Sequence, residues 1–184
     1  MRYLIVFVTA IVLVSASAAS AQTNLGITGG VLLPIGDLDD VADVSPYIGA
    51  RWEIQDVSPM GNAVVLSFLV QGGFAFLQTD PALEAALAAL GISDDGTYFD
   101  VGAGVRVYAT ANPLFLSAGA SFINLDPAGA VESSSGVGLH VGVGFALAED
   151  SFKLDIEARG NLGLLEGGGD IEHVQLLASF GLPF

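Results

Sequence analysis

Apolar side chains recur at every second position along most of this chain, with small or polar residues between them. The stretch from His173 to Phe184 shows the pattern plainly. Val174, Leu176, Ala178, Phe180, Leu182 and Phe184 alternate with Gln175, Leu177, Ser179, Gly181 and Pro183. Successive side chains of an extended chain point to opposite faces, so the spacing predicts a strand with one apolar face. Seven earlier segments share the signature. Leu25, Ile27, Val31 and Leu33 mark the first, closed by Pro34 to Asp37. Tyr47 to Val57 sets Ile48, Ala50, Trp52 and Ile54 against Gly49, Arg51, Glu53 and Gln55. Ala63 to Gln78 puts Val64, Leu66, Phe68, Val70, Phe74 and Phe76 on one face, opposite a mixed face of Ser67, Leu69, Gln71 and Leu77.

Thr97 to Ala109 alternates Phe99, Val101, Ala103, Val105 and Val107 with Asp100, Gly102, Gly104, Arg106 and Tyr108. Leu114 to Leu125 follows, with Leu116, Ala118, Ala120 and Phe122 against Ser117, Gly119 and Ser121. The sixth segment sets Val137, Leu139, Val141, Val143, Phe145 and Leu147 against Gly136, Gly138, His140, Gly142 and Gly144. In the seventh, Phe152, Leu154, Ile156, Ala158 and Leu162 oppose Lys153, Asp155, Glu157, Arg159 and Asn161. Each segment is long enough to cross a bilayer as a tilted strand, which takes about 9 to 11 residues. Short turns are predicted near 58–62, 110–113 and 148–151, and longer connections near 34–46, 78–96, 126–135 and 164–172.

Composition changes the picture in two ways. The 184 residues are 52% hydrophobic and 14% charged, with a mean hydropathy of +0.65, which is too apolar for an ordinary soluble domain. Yet after the first ~20 residues no apolar run is long enough for a membrane helix, so the hydrophobicity is spread over alternating strands. Met1 to Ala21 reads as a secretory signal: Arg2 starts it, Leu4 to Val14 form its apolar core, and Ala19-Ser20-Ala21 suits cleavage. An uncleaved N-terminal helix is the alternative. With no cysteine, a disulfide scaffold, a thiolate metal site and a lipid-anchored N-terminus are excluded.

Charge decides which way the strands face. The non-apolar faces carry Arg51, Glu53, Asp100, Arg106, His140, Asp155, Glu157 and Arg159. A sealed soluble barrel with its apolar face inward would leave its exterior to these groups; a barrel turned inside out places them in its lumen and its apolar face against lipid. Closure then leaves no backbone edge in the hydrocarbon. The predicted fold is an eight-stranded antiparallel up-and-down transmembrane β-barrel over residues 22–184, with one short helix in the second outer loop. In the lumen, Arg51, Arg106 and Arg159 are expected to pair with Glu53, Asp155 and Glu157, with His140 as a further member. The inward glycines at 102, 104, 136, 138, 142 and 144 are expected to leave room for arginines reaching across. Tyr47, Phe76, Tyr98, Phe99, Phe115, Phe152 and Phe184, near strand ends, are expected to form aromatic girdles.

The signal segment, the amphipathic strands and the terminal Phe184 together resemble the small outer-membrane barrels of the OmpA/OmpX type, from about Leu25 to Phe184. The resemblance implies that the last strand is read by the barrel assembly machinery, with Phe184 as the signal and Phe180 and Leu182 in support. Pro183 departs from the usual ending because it removes a ladder donor. No peptidoglycan-binding domain follows the barrel, so the anchoring role of the two-domain members is not expected here.

Most remaining acids, from Asp37 to Asp43, at Asp80, Glu84, Asp94, Asp95, Asp126 and Glu132, and from Glu166 to Glu172, fall in predicted outer loops. Such a rim repels nucleic acid. Asp37-x-Asp39-Asp40 invites a calcium reading but lacks the glycine and distal glutamate of an EF-hand loop, so neither a metal nor a cofactor is expected. The helix over the second outer loop has Asp80 as cap, Pro81 at its first position and Gly91 at its exit. Leu83, Leu87 and Leu90 share a face that is expected to shield the barrel mouth. Neither His140 nor His173 lies in a nucleophile motif, although His173 beside Glu172 near a rim keeps a lipid-modifying enzyme as a minor alternative. The expected role is non-enzymatic, structural or loop-presenting, in a monomer held by outer-membrane lipid; a narrow channel or a transporter of small apolar ligands is the alternative.

Overall fold

The computed structural model describes residues 23–39, 42–59, 64–79, 81–90, 96–109, 112–126, 133–149, 151–166 and 169–184. The Met1–Ala21 segment lies outside them, as do Asp40, Asp80, Gly91, Asp94, Asp95 and Glu132. Eight long strands follow one another: β1 (Thr23–Ile35), β2 (Ser45–Pro59), β3 (Val64–Thr79), β4 (Gly96–Ala109), β5 (Leu114–Asp126), β6 (Ser134–Glu149), β7 (Phe152–Leu165) and β8 (Asp170–Pro183). A 3-10 turn (Gly36–Leu38) and a two-residue strand (Ala42–Asp43) lie between β1 and β2, and helix α1 (Pro81–Leu90) follows β3.

Every long strand pairs antiparallel with its neighbours in sequence, and β8 pairs with β1, so the sheet closes on itself. Closure satisfies both edges of all eight strands, which an open sheet cannot do. The β1–β8 seam runs from Asn24 opposite Pro183 to Ile35 opposite Glu172. Pro183 contributes no N–H, but the ladder resumes beyond it. Phe184 N donates to Thr23 O (3.0 Å), and Thr23 Oγ1 donates to Phe184 O (2.7 Å).

The two faces of each strand separate sharply. On β7, Asp155 and Glu157 are 1% and 2% exposed while Ile156 between them is 62% exposed. The same parity holds on β3, where Ser67, Leu69, Gln71, Ala75 and Leu77 are buried and Phe76 is exposed. Ile54, expected on the outward face of β2, is buried; the β2–β3 register shifts immediately after it.

Parity also corrects the aromatic girdle. Tyr47, Tyr98 and Phe115 point inward, because they share a face with Arg51, Asp100 and Ser117 respectively. Phe76, Phe99 and Phe184 are exposed, and half-buried Phe152 stacks on Phe180. The inward rings occupy the space that glycines leave on the next strand. A Cβ on Gly73 would overlap the Tyr47 ring, and one on Gly144 would overlap Phe115. The room beside Gly142 is taken by Ser117 and Glu157. Inward glycines thus accommodate adjacent strands rather than arginines from across the lumen.

The lumen has two chemically distinct halves. Toward the end that carries the longer connections, Leu32, Tyr47, Ala75, Leu77, Tyr98, Ile123, Leu125, Ile171 and Leu177 form one buried cluster, joined by Leu38 and Ala42 from the β1–β2 connection. That connection is held down where Ala42–Asp43 pairs with Gln78 and Thr79. Ser45 Oγ donates to Asp43 O (2.7 Å) and accepts from Gln78 N (2.9 Å). Toward the short-turn end the lumen is ionic.

Helix α1 does not behave as a shield. Leu90 is 73% exposed and Leu87 half-buried, and the Leu83 side chain lies outside the described residues. Its short alanine-rich surface offers little area to bury against the rim. None of the described helices is long and apolar enough to cross a membrane.

Placement of the cations gives a direct test. Residues 22–184 contain four trypsin sites, Arg51, Arg106, Lys153 and Arg159, and all four side chains are buried in the lumen. Protein refolded in detergent is expected to survive a trypsin concentration that cuts the urea-unfolded chain at all four, as read by mass spectrometry. Prompt cleavage of the refolded protein at Arg106 or Arg159 would place those side chains outside.

Candidate functional site: the ionic lumen

Strand β7 supplies the spine of the site. Its sequence Lys-Leu-Asp-Ile-Glu-Ala-Arg, from Lys153 to Arg159, puts a charge at every second residue, and a strand directs all four to the same side. Each finds its counterpart on another wall. Lys153 Nζ donates to both carboxylate oxygens of Glu53 on β2 (2.9 and 2.8 Å). Asp155 accepts from Arg106 Nη1 on β4 (3.1 Å) and also pairs with Arg51 on β2. Glu157 pairs with the other Arg106 nitrogen, Nη2, and accepts from Ser117 Oγ (2.7 Å). Arg159 Nε donates to Glu157 Oε1 (3.0 Å), while its Nη2 reaches Gln71 on the opposite strand β3 (2.9 Å).

Neutral groups complete the set. Tyr108 Oη donates to Glu53 Oε1 (2.6 Å) and accepts from Lys153 Nζ (2.6 Å). The Arg106 guanidinium lies 4.4 Å from the Phe115 ring centroid, where the electron-rich ring face favours a cation. Nearer the apolar half, Tyr47 Oη donates to Asp100 Oδ1 (2.9 Å). The lumen therefore holds Arg51, Arg106, Lys153 and Arg159 against Glu53, Asp100, Asp155 and Glu157, an equal count of each sign. Equality matters because an unpaired ion taken from water costs several kcal/mol, and attraction between buried ions offsets this only when their remaining bonds are also made.

Of the residues picked out from sequence, the structure brings Arg51, Glu53, Arg106, Asp155, Glu157 and Arg159 into this one network. His140 is buried in the lumen, but its ring leans over Gly119 on β5 and its Nε2 meets no protein partner among the described residues. Lys153 and Tyr108 were not expected in the network. Their inward parity with Asp155 and Arg106 was the available signal. His173 and Glu172 lie on opposite faces of β8, His173 buried edge-on against Tyr98 (5.0 Å between centroids) and Glu172 exposed. That arrangement removes the pairing on which the enzyme alternative rested. Phe180, Leu182 and Phe184 are exposed on the outward face.

Sharing makes the network cooperative. Glu53 faces Lys153, Arg106 and Arg51 together, so Glu53→Gln leaves three cations short of one carboxylate. The expected loss is about 3–5 kcal/mol of unfolding free energy, measured by urea titration of protein refolded into vesicles. Adding Lys153→Met to Glu53→Gln is expected to cost less than the two single changes summed; strict additivity would mean that the pair does not interact.

No family model matches the sequence, and no curated relative is similar to it. Solved structures are. Neisserial surface protein A is similar over 89% of this chain and 97% of its own, at 18% identity and a TM-score of 0.55. A major outer membrane protein from Thermus thermophilus is similar over 90% of this chain and 100% of its own, at 13% identity and a TM-score of 0.54. At such identities the likeness is one of fold. The chain has the fold of the small outer-membrane β-barrels, closed, antiparallel, up-and-down and eight-stranded.

Proposed function

We propose that the protein is an integral, monomeric, non-enzymatic barrel of the bacterial outer membrane, with a lumen closed to solutes and a structural or loop-presenting role. One observation carries this reading: the barrel wall is apolar outside and ionic inside, with every lysine and arginine of residues 22–184 in the lumen. In water that exterior is costly, since each Å² of apolar surface is worth about 25 cal/mol and the apolar wall is far larger than the patches soluble monomers tolerate. Against acyl chains the cost disappears. The exposed backbone is already satisfied by closure, which lipid demands and water does not.

Closure of the lumen is supported from both halves. The apolar cluster occupies one end and cross-lumen ion pairs the other, as befits an eight-stranded barrel whose interior side chains can fill. The Met1–Ala21 signal supports export, and the outward Phe180, Leu182 and Phe184 present a last strand suited to the barrel assembly machinery. With no cation on the wall of the mature chain and acids in its loops, the outer surface disfavours nucleic acid. A narrow channel is the second reading, favoured by the hydrogen-bonding capacity that lumenal side chains keep unspent.

Planar-bilayer recording separates the two. The refolded protein is expected to insert without steady conductance, whereas Arg106→Ala with Glu157→Gln, which removes one strut between β4 and β7, is expected to give brief openings. A steady wild-type conductance would overturn the closed lumen and leave the barrel intact. A detergent-free monomer in plain buffer would overturn the membrane assignment itself.

A further inference from the structure

Glu172 points outward from β8, in a stretch of wall that is otherwise apolar. Register places it between Ile35 on β1 and Leu162 on β7, both exposed on the same outward face. Leu164 continues that apolar surface one row further toward the long connections. The carboxylate reaches over the start of the β1–β2 connection, where its Oε2 lies 3.7 Å from the place a Cβ on Gly36 would take. It has no cationic partner among the described residues, because every lysine and arginine there is buried in the lumen.

From Glu172 toward the middle of the barrel the outer wall is hollowed. Gly160 on β7 lies between Val141 and Val174, and a Cβ placed on it would meet nothing nearer than Val141 O at 4.0 Å. The hollow there holds about 350 Å³ and is rimmed by Ile35, Leu162 and Glu172 itself. A second hollow, of about 390 Å³, adjoins it along β8 over Gly29, Ala158 and Ala178. From Glu172 to Ala178 the strand advances about 20 Å, at roughly 3.3 Å per residue. A tilt of about 40° turns that into ~15 Å of depth, half of the ~30 Å hydrocarbon core and so the depth of one leaflet. We propose that this trough is a binding site for one membrane lipid with a primary ammonium headgroup, its amine on Glu172 and an acyl chain laid over Gly160 and Ala178.

Charge selects the head of the ligand. A carboxylate only accepts hydrogen bonds, and a primary ammonium brings N–H donors with the opposite charge. A trimethylated ammonium brings no donor, and a net anionic headgroup is repelled by Glu172 and by Asp170 on the same outward, exposed face. Shape selects the tail. An acyl chain gains no hydrophobic free energy by leaving other chains for an apolar wall, so its preference for the trough comes from packing. Gly160, Ala158 and Ala178 admit a chain closely where leucines would hold it off. Because the lumen uses up the chain's cations, the membrane is the source of the counter-charge. The inference rests on the lipid-facing wall proposed above and adds which lipid that wall prefers.

Native mass spectrometry of the refolded protein, released from detergent micelles doped with one lipid at a time, tests it. Phosphatidylethanolamine is expected to stay bound at about five times the occupancy of phosphatidylcholine or phosphatidylglycerol of the same chain length. Glu172→Gln is expected to bring phosphatidylethanolamine down to the phosphatidylcholine level, and Gly160→Leu to lower the retention of both. Both positions face outward, so neither change burdens the interior. Equal retention of the three lipids would overturn the site, as would a preference that survives Glu172→Gln. Phosphatidylglycerol retained through added calcium, or a protein dimer in place of bound lipid, would overturn it too. The membrane reading is judged separately by the single tryptophan, Trp52, across from exposed Leu25 at the short-turn end of the wall. Its quenching by brominated phosphatidylcholine in vesicles is expected with or without the lipid site, and absence of quenching would overturn the lipid-facing wall itself.

Discussion

Charge pairing across the lumen of a closed sheet is the constraint on which the other features depend. Four cations and four carboxylates are held inside a wall one residue thick, and they come from three strands, β2, β4 and β7, that closure brings face to face. Lys153, Asp155, Glu157 and Arg159 are neighbours on β7, but they draw partners from β2, β3, β4 and β5. The pairs therefore tie together five of the eight strands. A slip of one residue in β2, β4 or β7 would turn its charges outward and its apolar residues inward, so the network pins the register of these strands as well as neutralising charge. Glycine takes part in the same geometry. Gly73 and Gly144 admit the Tyr47 and Phe115 rings beside them, and those rings in turn support Asp100 and Arg106.

The fold was legible in the sequence because a period of two survives along every strand. Val141, Ile156 and Phe180 lie outward and Arg106, Asp155 and Gln175 inward, as alternation alone dictates. What alternation leaves open is distance along the axis. Tyr47 and Tyr98 were placed at the membrane interface for their position near strand ends, although their parity with Arg51 and Asp100 already directed them inward. Phe99 beside Tyr98 shows the point, since adjacent residues cannot share a face, and only Phe99 is exposed.

The site was legible in part and for a related reason. The members of the ion network could be collected by sign and parity, but their pairing could not, because it depends on which strands stand opposite one another. Arg159 reaching Gln71 is a contact between β7 and β3, four strands around the ring. Lys153 escaped notice although it shares parity with Asp155. The apolar half of the lumen escaped for another cause: Leu32, Leu77, Ile123 and Ile171 look like lapses in alternation when each strand is read alone. Only closure reveals them as one cluster.

That division of the lumen bears on how the barrel tolerates its composition. Beyond Arg2 the chain has only four cations, and neutralising the lumen uses all of them. An ion network extended through the loop end would need further lysines or arginines, or would leave carboxylates buried without partners. Filling that end with Leu32, Tyr98, Ile123 and Ile171 avoids the shortage, because apolar packing requires no counter-charge. The same shortage leaves the acids outside the lumen without basic partners, and the long connections at the apolar end hold most of them where water can solvate them. Interior pairing, an apolar loop-end cluster and an acidic outer surface are thus three consequences of spending few cations in one place.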